Sequence, residues 1–460
     1  MRTLFVLKAL FIFTSIFSQV TSEFSKDMEN DITNFIESKK QFYNSPNIAV
    51  AITDENNTIY LKHFGNGKKG DRYLIGSMSK SFTALLTLVL EEKGVLNIND
   101  PVHKFLKWFT YKNKKISDQV TIKDLLQHTS GISTEIGNTF LESNNDFDYT
   151  QYYTETLKKI DLVDSSELPY EYSNANYRLL GLIIENATGK SYKECLEIYI
   201  TKPLNLDDTS ASITPKLIDS YQYFLHYPSI KFNKNFHRQE IPSGLISSSA
   251  NDMSNYLRNL MNSYNNNTNS TLNSNSIKRL FTANEKSNYG FGWLIVNDIF
   301  YHYGTNKSFE SSMYILPSIN KAIVVLINSN QAPDAEIIDG IASILLNQKF
   351  NNKSSFKYYR NLPFIVFVLA LVFLIQFMNW KRLKFPIQFS KKILPNLFLI
   401  LGLMICVTFI NIFPKLNGVD LKTAVQFDPA SGYSLILISL FLSLTFLLNY
   451  FSTTAKTLNN

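Results

Sequence analysis

The sequence predicts an α/β fold of the α+β kind, an antiparallel sheet flanked by helices with a helical lobe, followed by three transmembrane helices. Three observations point there. Strand-like runs lie at both ends of residues 25–350, and helical patterns fill the middle. Three charge-free apolar runs crowd the last hundred residues. An apolar stretch preceded by Arg2 and Lys8 opens the chain.

The elements follow in order. Residues 1–22 read as a signal peptide: basic residues, an apolar core from Ala9 to Phe17, then small and polar residues. Phe24 to Lys40 reads as a helix, with Ile32, Phe35 and Ile36 on one face. Asn47 to Thr53 and Thr58 to Phe64 flank a polar turn and predict a hairpin. Ser79 to Lys93 is an apolar helix stopped by Gly94. Ile122 to Leu126 begins another helix, ending near Gly131. Asn176 to Thr188 is a fourth, closed by Gly189. Residues 262–276 are rich in Asn and Ser and read as an exposed loop. Strands return at Gly290–Val296, Ile299–Tyr303, Ser311–Leu316 and Ala322–Asn328, before a closing helix from Ala335 to Leu346. One sheet then joins the early hairpin to the late strands, with a cleft between sheet and helical lobe.

Spans are predicted at 361–380, 393–414 and 431–452. The last two lie in charge-free runs of 22 and 27 residues. The link after the first span carries Lys381, Arg382, Lys384, Lys391 and Lys392 without an acid. The next link nearly balances, so the first faces the cytoplasm and residues 25–350 face outward. The expected location is the bacterial cytoplasmic membrane, multi-pass, with the bilayer as a partner through three C-terminal helices.

Charge and cysteine content exclude several classes. The formal charge is +7, but residues 21–360 hold 35 basic and 36 acidic side chains. That balance gives no support for a nucleic-acid partner. Cys195 and Cys406 cannot build a disulfide framework. No zinc spacing appears, and neither metal nor cofactor is expected.

Four short motifs carry chemistry. Ser77 and Lys80 sit one turn apart where a helix begins, so the amine can reach the hydroxyl and serve as its base. The same pair also reads as an N-cap serine and a surface lysine. Glu171-Tyr172-Ser173-Asn174 precedes a helix; its tyrosine can relay a proton, and Asn174 can donate to a substrate carbonyl. It also reads as an exposed turn with a packing tyrosine. His302-Tyr303-Gly304-Thr305 lies on a late strand, where Gly304 admits a substrate backbone. His128-Thr129-Ser130-Gly131 lies at a helix end, and its histidine reads as structural.

With these motifs the chain resembles the serine beta-lactamase and penicillin-recognising hydrolase superfamily. Within it, the chain is similar to the class C-like, peptidase S12-type branch of D-amino-acid peptidases and esterases. The resemblance implies an acyl-enzyme at Ser77. Lys80 and Tyr172 would act as base and proton relay, and the N–H groups of Ser77 and Thr305 would receive the oxyanion. Asn174, His302 and Gly304 would support the substrate. His302 stands where classical members carry lysine, and no separate glutamate motif for deacylation is evident. The three runs resemble membrane-bound D-amino-acid prodrug peptidases and related Gram-positive envelope proteins. The leading expectation is therefore a membrane-anchored peptidase or amidase for D-amino-acid peptides, such as one removing an acyl-D-Asn cap. Kept beside it are an esterase or transpeptidase-like enzyme of cell-envelope polymers, a beta-lactamase, and a non-catalytic envelope-binding protein. Substrates would be small peptides or envelope material.

Overall fold

The computed structural model describes residues 24–138, 148–162, 168–212, 216–224, 227–231, 238–265, 273–330 and 334–350. It also describes residues 432–444 and the single positions Val366, Leu421 and Leu447. The expected leader, residues 1–22, lies outside the described residues. The chain divides into two units. One comprises residues 13–221 and 231–353. The other comprises residues 1–12, 222–230 and 354–460.

The larger unit is built on a six-stranded antiparallel sheet. Its helices include α1 (Lys26–Tyr43), α2 (Ser79–Glu92), α3 (Ile122–Leu126), α4 (Asn174–Thr188), α5 (Ala250–Tyr264) and α6 (Asp334–Leu345). Its strands are β1 (Asn47–Thr53), β2 (Thr58–Gly65), β3 (Leu294–Val296), β4 (Ile299–Thr305), β5 (Glu310–Leu316) and β6 (Lys321–Ile327). They lie in the order β2-β1-β6-β5-β4-β3, so the early hairpin joins the late strands through the β1–β6 pair.

Side-chain alternation along the central strands explains the layering. Ile48, Val50 and Ile52 of β1, with Ile323, Val325 and Ile327 of β6, pack under α1 and α6. Ala49 and Ala51, with Val324 and Leu326, face the helical lobe. Both faces are covered, which is why β1 is apolar from Ile48 to Ile52 and buried along its whole length. On the lobe side Phe82 of α2 stacks on Tyr256 of α5 at 4.0 Å between ring centroids. Local signals set the helix ends. The Ser25 side chain caps α1, and Thr121 with Asp124 forms a capping box on α3.

Some boundaries differ from expectation. The strand expected from Gly290 is cut to Leu294–Val296, because the Gly290 N–H donates to the Trp293 carbonyl in a tight turn. The expected loop at 262–276 is partly helical: α5 runs to Tyr264, and Asn273 caps a helix over Ser274–Leu280. Residues 266–272 lie outside the described residues.

The three predicted transmembrane helices are corrected. Among the described residues no helix is long and apolar enough to cross a membrane. The run 361–380 is described only at Val366, and 393–414 lies outside the described residues. Within 431–452 the described helix covers 432–444. Leu435 and Ile438 of that helix are buried, with Val366, Leu421 and Leu442 against them. Uninterrupted apolarity is shared by buried and membrane-crossing helices, so the runs alone do not establish a span. The bilayer partner and the multi-pass membrane location are withdrawn with the spans. So is the membrane-anchored amidase for an acyl-D-Asn cap, which rested on the three-span arrangement.

Candidate active site

The site begins where α2 begins. Gly76 has φ +52°, and a Cβ there would meet the Gly304 carbonyl carbon at 2.5 Å and the Thr305 nitrogen at 2.6 Å. A Cβ on Gly304 would meet the Ile75 carbonyl oxygen at 2.1 Å. Two glycines therefore let the end of β4 lie directly on the turn Gly76–Met78 that carries Ser77. The Ser311 hydroxyl fastens the arrangement by donating to the Ile75 carbonyl at 2.9 Å.

Lys80 follows one turn later and is completely buried. Its Nζ lies 2.9 Å from Ser77 Oγ, 2.7 Å from Asn174 Oδ1 and 2.6 Å from the Ser243 carbonyl oxygen. Burial, and then the positive charge of Arg178, hold its pKa well below the usual lysine value. A neutral amine has two N–H groups and one lone pair. Asn174 and Ser243 take the two N–H groups, which leaves the lone pair for the Ser77 hydroxyl proton. The Tyr172 ring centroid is 4.9 Å from Nζ. Burial raises the Tyr172 phenol above its ordinary value, and a hydrogen bond with Ser77 opposes that rise.

Tyr172 and Asn174 are set by the entry to α4. Asn174 is its first residue. Ser173 does not cap the helix; its hydroxyl donates to the Ser133 carbonyl at 2.8 Å. The Ser173 N–H and the Asn176 side-chain amide both donate to His128 Nδ1, at 3.1 and 3.0 Å. That assigns the His128 proton to Nε2, which has no hydrogen-bond partner among the described residues. The His128 ring centroid lies 4.4 Å from that of Tyr172. The histidine thus holds the segment that carries Tyr172 and Asn174.

His302 sits on β4 and is buried. Its Nδ1 lies 2.6 Å from the Tyr303 carbonyl oxygen and its Nε2 3.2 Å from the Tyr289 hydroxyl. Burial, then the charge of Lys80, push its pKa down to about 3, so the imidazole is neutral at pH 7. Nδ1 then donates to the carbonyl, and Nε2 accepts from Tyr289. The Tyr172 ring lies 6.3 Å away between centroids, and the Nε2 acceptor is already used by Tyr289. Thr305 is exposed at the end of β4 and pairs with Glu310 of β5.

The fold therefore brings together Ser77, Lys80, Tyr172 and Asn174, with His302, Gly304 and Thr305 along the adjoining strand. Sequence reasoning missed the Ser243 carbonyl, Arg178 and Tyr289. Arg178 carried a usable signal, being one turn beyond Asn174 on the same helix face. The Ser243 contact uses a backbone oxygen, for which no residue type is diagnostic. Chemically, the arrangement offers a hydroxyl beside an amine held below its usual pKa, with a phenol next to both: the components of acyl transfer through a serine ester.

The sequence model of the family described as Beta-lactamase matches residues 32–346. Protein flp of Staphylococcus aureus (strain MW2) is 28% identical over 344 residues, 71% of this chain and 68% of that protein. Teichoic acid D-alanine hydrolase of Staphylococcus aureus is 36% identical over 138 residues, 30% of this chain and 32% of that protein. Among solved structures, a class C beta-lactamase superposes with TM-score 0.60 at 18% identity, covering 72% of this chain and 99% of the other. The octameric penicillin-binding protein homologue from Pyrococcus abyssi gives TM-score 0.58 at 23% identity, over 73% and 81%. At these identities the superpositions speak to fold alone. With the family match over most of its length, the chain belongs to the beta-lactamase family, and it is an enzyme of the serine-hydrolase type.

Proposed function

We propose that this hydrolase belongs to the class C-like branch and forms an acyl-enzyme at Ser77, acting as an esterase on acyl groups carried by cell-envelope polymers. The observation that carries the reading is the buried Lys80 amine, held below its usual pKa 2.9 Å from the Ser77 hydroxyl. Lys80 takes the Ser77 proton as the oxygen attacks the ester carbonyl. The N–H groups of Ser77 and Thr305 receive the oxyanion. Tyr172 passes a proton to the departing polymer hydroxyl. Water, deprotonated by the same pair, then releases the acyl group. Asn174 and the Gly304 backbone orient the substrate.

Two observations favour an ester over a carboxylate-bearing substrate. His302, the counterpart of the family's strand lysine, is neutral and engaged on both ring nitrogens. A substrate carboxylate placed beside it would lie uncompensated in a partly dry cleft. An ester-linked acyl group presents no such anion. A stretch of 138 residues is also 36% identical to an enzyme whose name gives teichoic acid D-alanine as its substrate.

The test compares kcat/KM on a D-alanyl ester of a polyol phosphate, a D-Ala-D-Ala peptide and benzylpenicillin, with wild type and Ser77→Ala. The expected result is ester hydrolysis faster than either of the others and absent from the variant. Benzylpenicillin turned over faster than the ester would overturn the substrate class. Undiminished hydrolysis by Ser77→Ala would overturn the nucleophile.

A further inference from the structure

Behind Lys80 lies a buried ion pair that takes no direct part in the chemistry above. Arg178, on the inner face of α4, is 2% exposed, and Glu240 is 9% exposed. Arg178 NH2 lies 3.8 Å from Glu240 Oε1, and Arg178 NH1 donates to the Tyr153 hydroxyl at 3.4 Å. The Tyr149 hydroxyl donates to the same Glu240 oxygen at 2.7 Å. A buried pair of this kind is poor evidence of stabilisation, since apolar replacements are often as good. Its presence calls for another use.

The connections of Glu240 supply one. It opens the π-helical turn Ile241–Leu245. The Ser243 hydroxyl donates to the Glu240 carbonyl at 3.0 Å. The Thr83 hydroxyl of α2 donates to the Pro242 carbonyl at 2.7 Å. That turn presents the Ser243 carbonyl to Lys80 Nζ. A continuous path thus runs from Arg178 through Glu240 and the turn to the amine.

We propose that Arg178 is a positioning residue for Lys80: anchored by Glu240 and Tyr153, it sets a fixed cation behind the amine and, through Glu240, holds the turn whose Ser243 carbonyl orients it. This rests on the reading of Lys80 as the base. The other titratable groups around Lys80 are Tyr172, Tyr177, His128 and His302. Burial raises both phenols and lowers both imidazoles, so all four are neutral at pH 7. Arg178 therefore supplies the cation that disfavours protonation of the amine. Without it the amine takes up a proton at higher pH, and the nucleophile is lost over part of the working range.

The experiment measures the rate of fluorophosphonate labelling of Ser77 and kcat/KM for p-nitrophenyl acetate from pH 5 to 9. Proteins are wild type, Ser77→Ala, Glu240→Gln and the double variant Arg178→Met/Glu240→Gln, each checked for a cooperative melt. Replacing both partners avoids leaving one buried charge alone. The double variant is expected to keep KM while its acid limb moves up by about one pH unit, a roughly tenfold loss on that limb. Glu240→Gln keeps the Tyr149 hydrogen bond but leaves the Arg178 cation uncompensated, so its acid limb is expected to move to lower pH, the opposite direction. If the double variant shows no melting transition, Arg178→Gln/Glu240→Gln replaces it with the same outcomes. An acid limb unmoved in a folded variant lacking Arg178 overturns the proposal. Labelling of wild type that persists in Ser77→Ala overturns instead the reading beneath it.

Discussion

The Lys80 amine donates to the Ser243 carbonyl oxygen at 2.6 Å. That contact, with the one to Asn174 Oδ1, occupies both N–H groups of a neutral amine and directs its lone pair at Ser77. Serine activation here is thus a matter of hydrogen-bond inventory as much as of pKa. Burial holds the amine's pKa well below the usual lysine value, and two oxygens aim it.

Lys80→Met is expected to lower kcat/KM for p-nitrophenyl acetate by about 10²–10⁴, the usual scale for a lost general base. Steady-state kinetics on protein with an unchanged circular dichroism spectrum checks this. Tyr172→Phe is expected to fall in the same range, with a larger share of the loss in kcat than in KM.

Asn174→Ala removes an acceptor from Lys80 and a substrate contact at once. The expected loss is about tenfold to a hundredfold, because one remaining N–H contact leaves the amine free to rotate. Asn174→Asp keeps the acceptor but adds a charge that favours the ammonium form. Its acid limb is expected to move to higher pH, as read from a kcat/KM profile.

Gly304→Ala tests the close approach that brings β4 onto Gly76–Met78. A Cβ 2.1 Å from the Ile75 carbonyl oxygen forces the two segments apart. The expected cost is about 1–3 kcal/mol in a urea melt, the usual scale for overpacking, with Ser77 labelling reduced as well.

Stability should fall on acidification, and His302 gives the sign. Its pKa is about 3 folded and about 6.5 unfolded. Between those values the unfolded state binds more protons, so the contribution is complete above about pH 6.5 and is lost as pH falls toward 3. His302→Gln removes this titration. Urea midpoints measured between pH 7 and pH 4 are expected to fall less steeply in the variant than in wild type.

How much of this was legible in the sequence varied with the physics of each part. The hairpin at Asn47–Gly65 and the β6 strand were readable because β-branched and apolar runs bounded by polar turns have few other uses. Ser77 and Lys80 were readable because a spacing of three puts both on one helix face. The Ser243 contact was hidden, since it belongs to the backbone. Glu240 and Arg178 are 62 positions apart and meet only through the tertiary fold. The apolar runs near the C-terminus misled because uninterrupted apolarity is shared by buried and membrane-crossing helices.

The central claim is that Ser77 becomes acylated because the neutral Lys80 amine takes its proton. Its most direct test is intact-protein and peptide mass spectrometry of acid-quenched enzyme, taken within the first turnovers on a D-alanyl ester. Wild type and Lys80→Met would be sampled side by side. The account expects a D-alanyl adduct on the peptide carrying Ser77 in wild type and its formation slowed at least a hundredfold in Lys80→Met. An adduct on another residue, or one appearing at the same rate in both proteins, would contradict it.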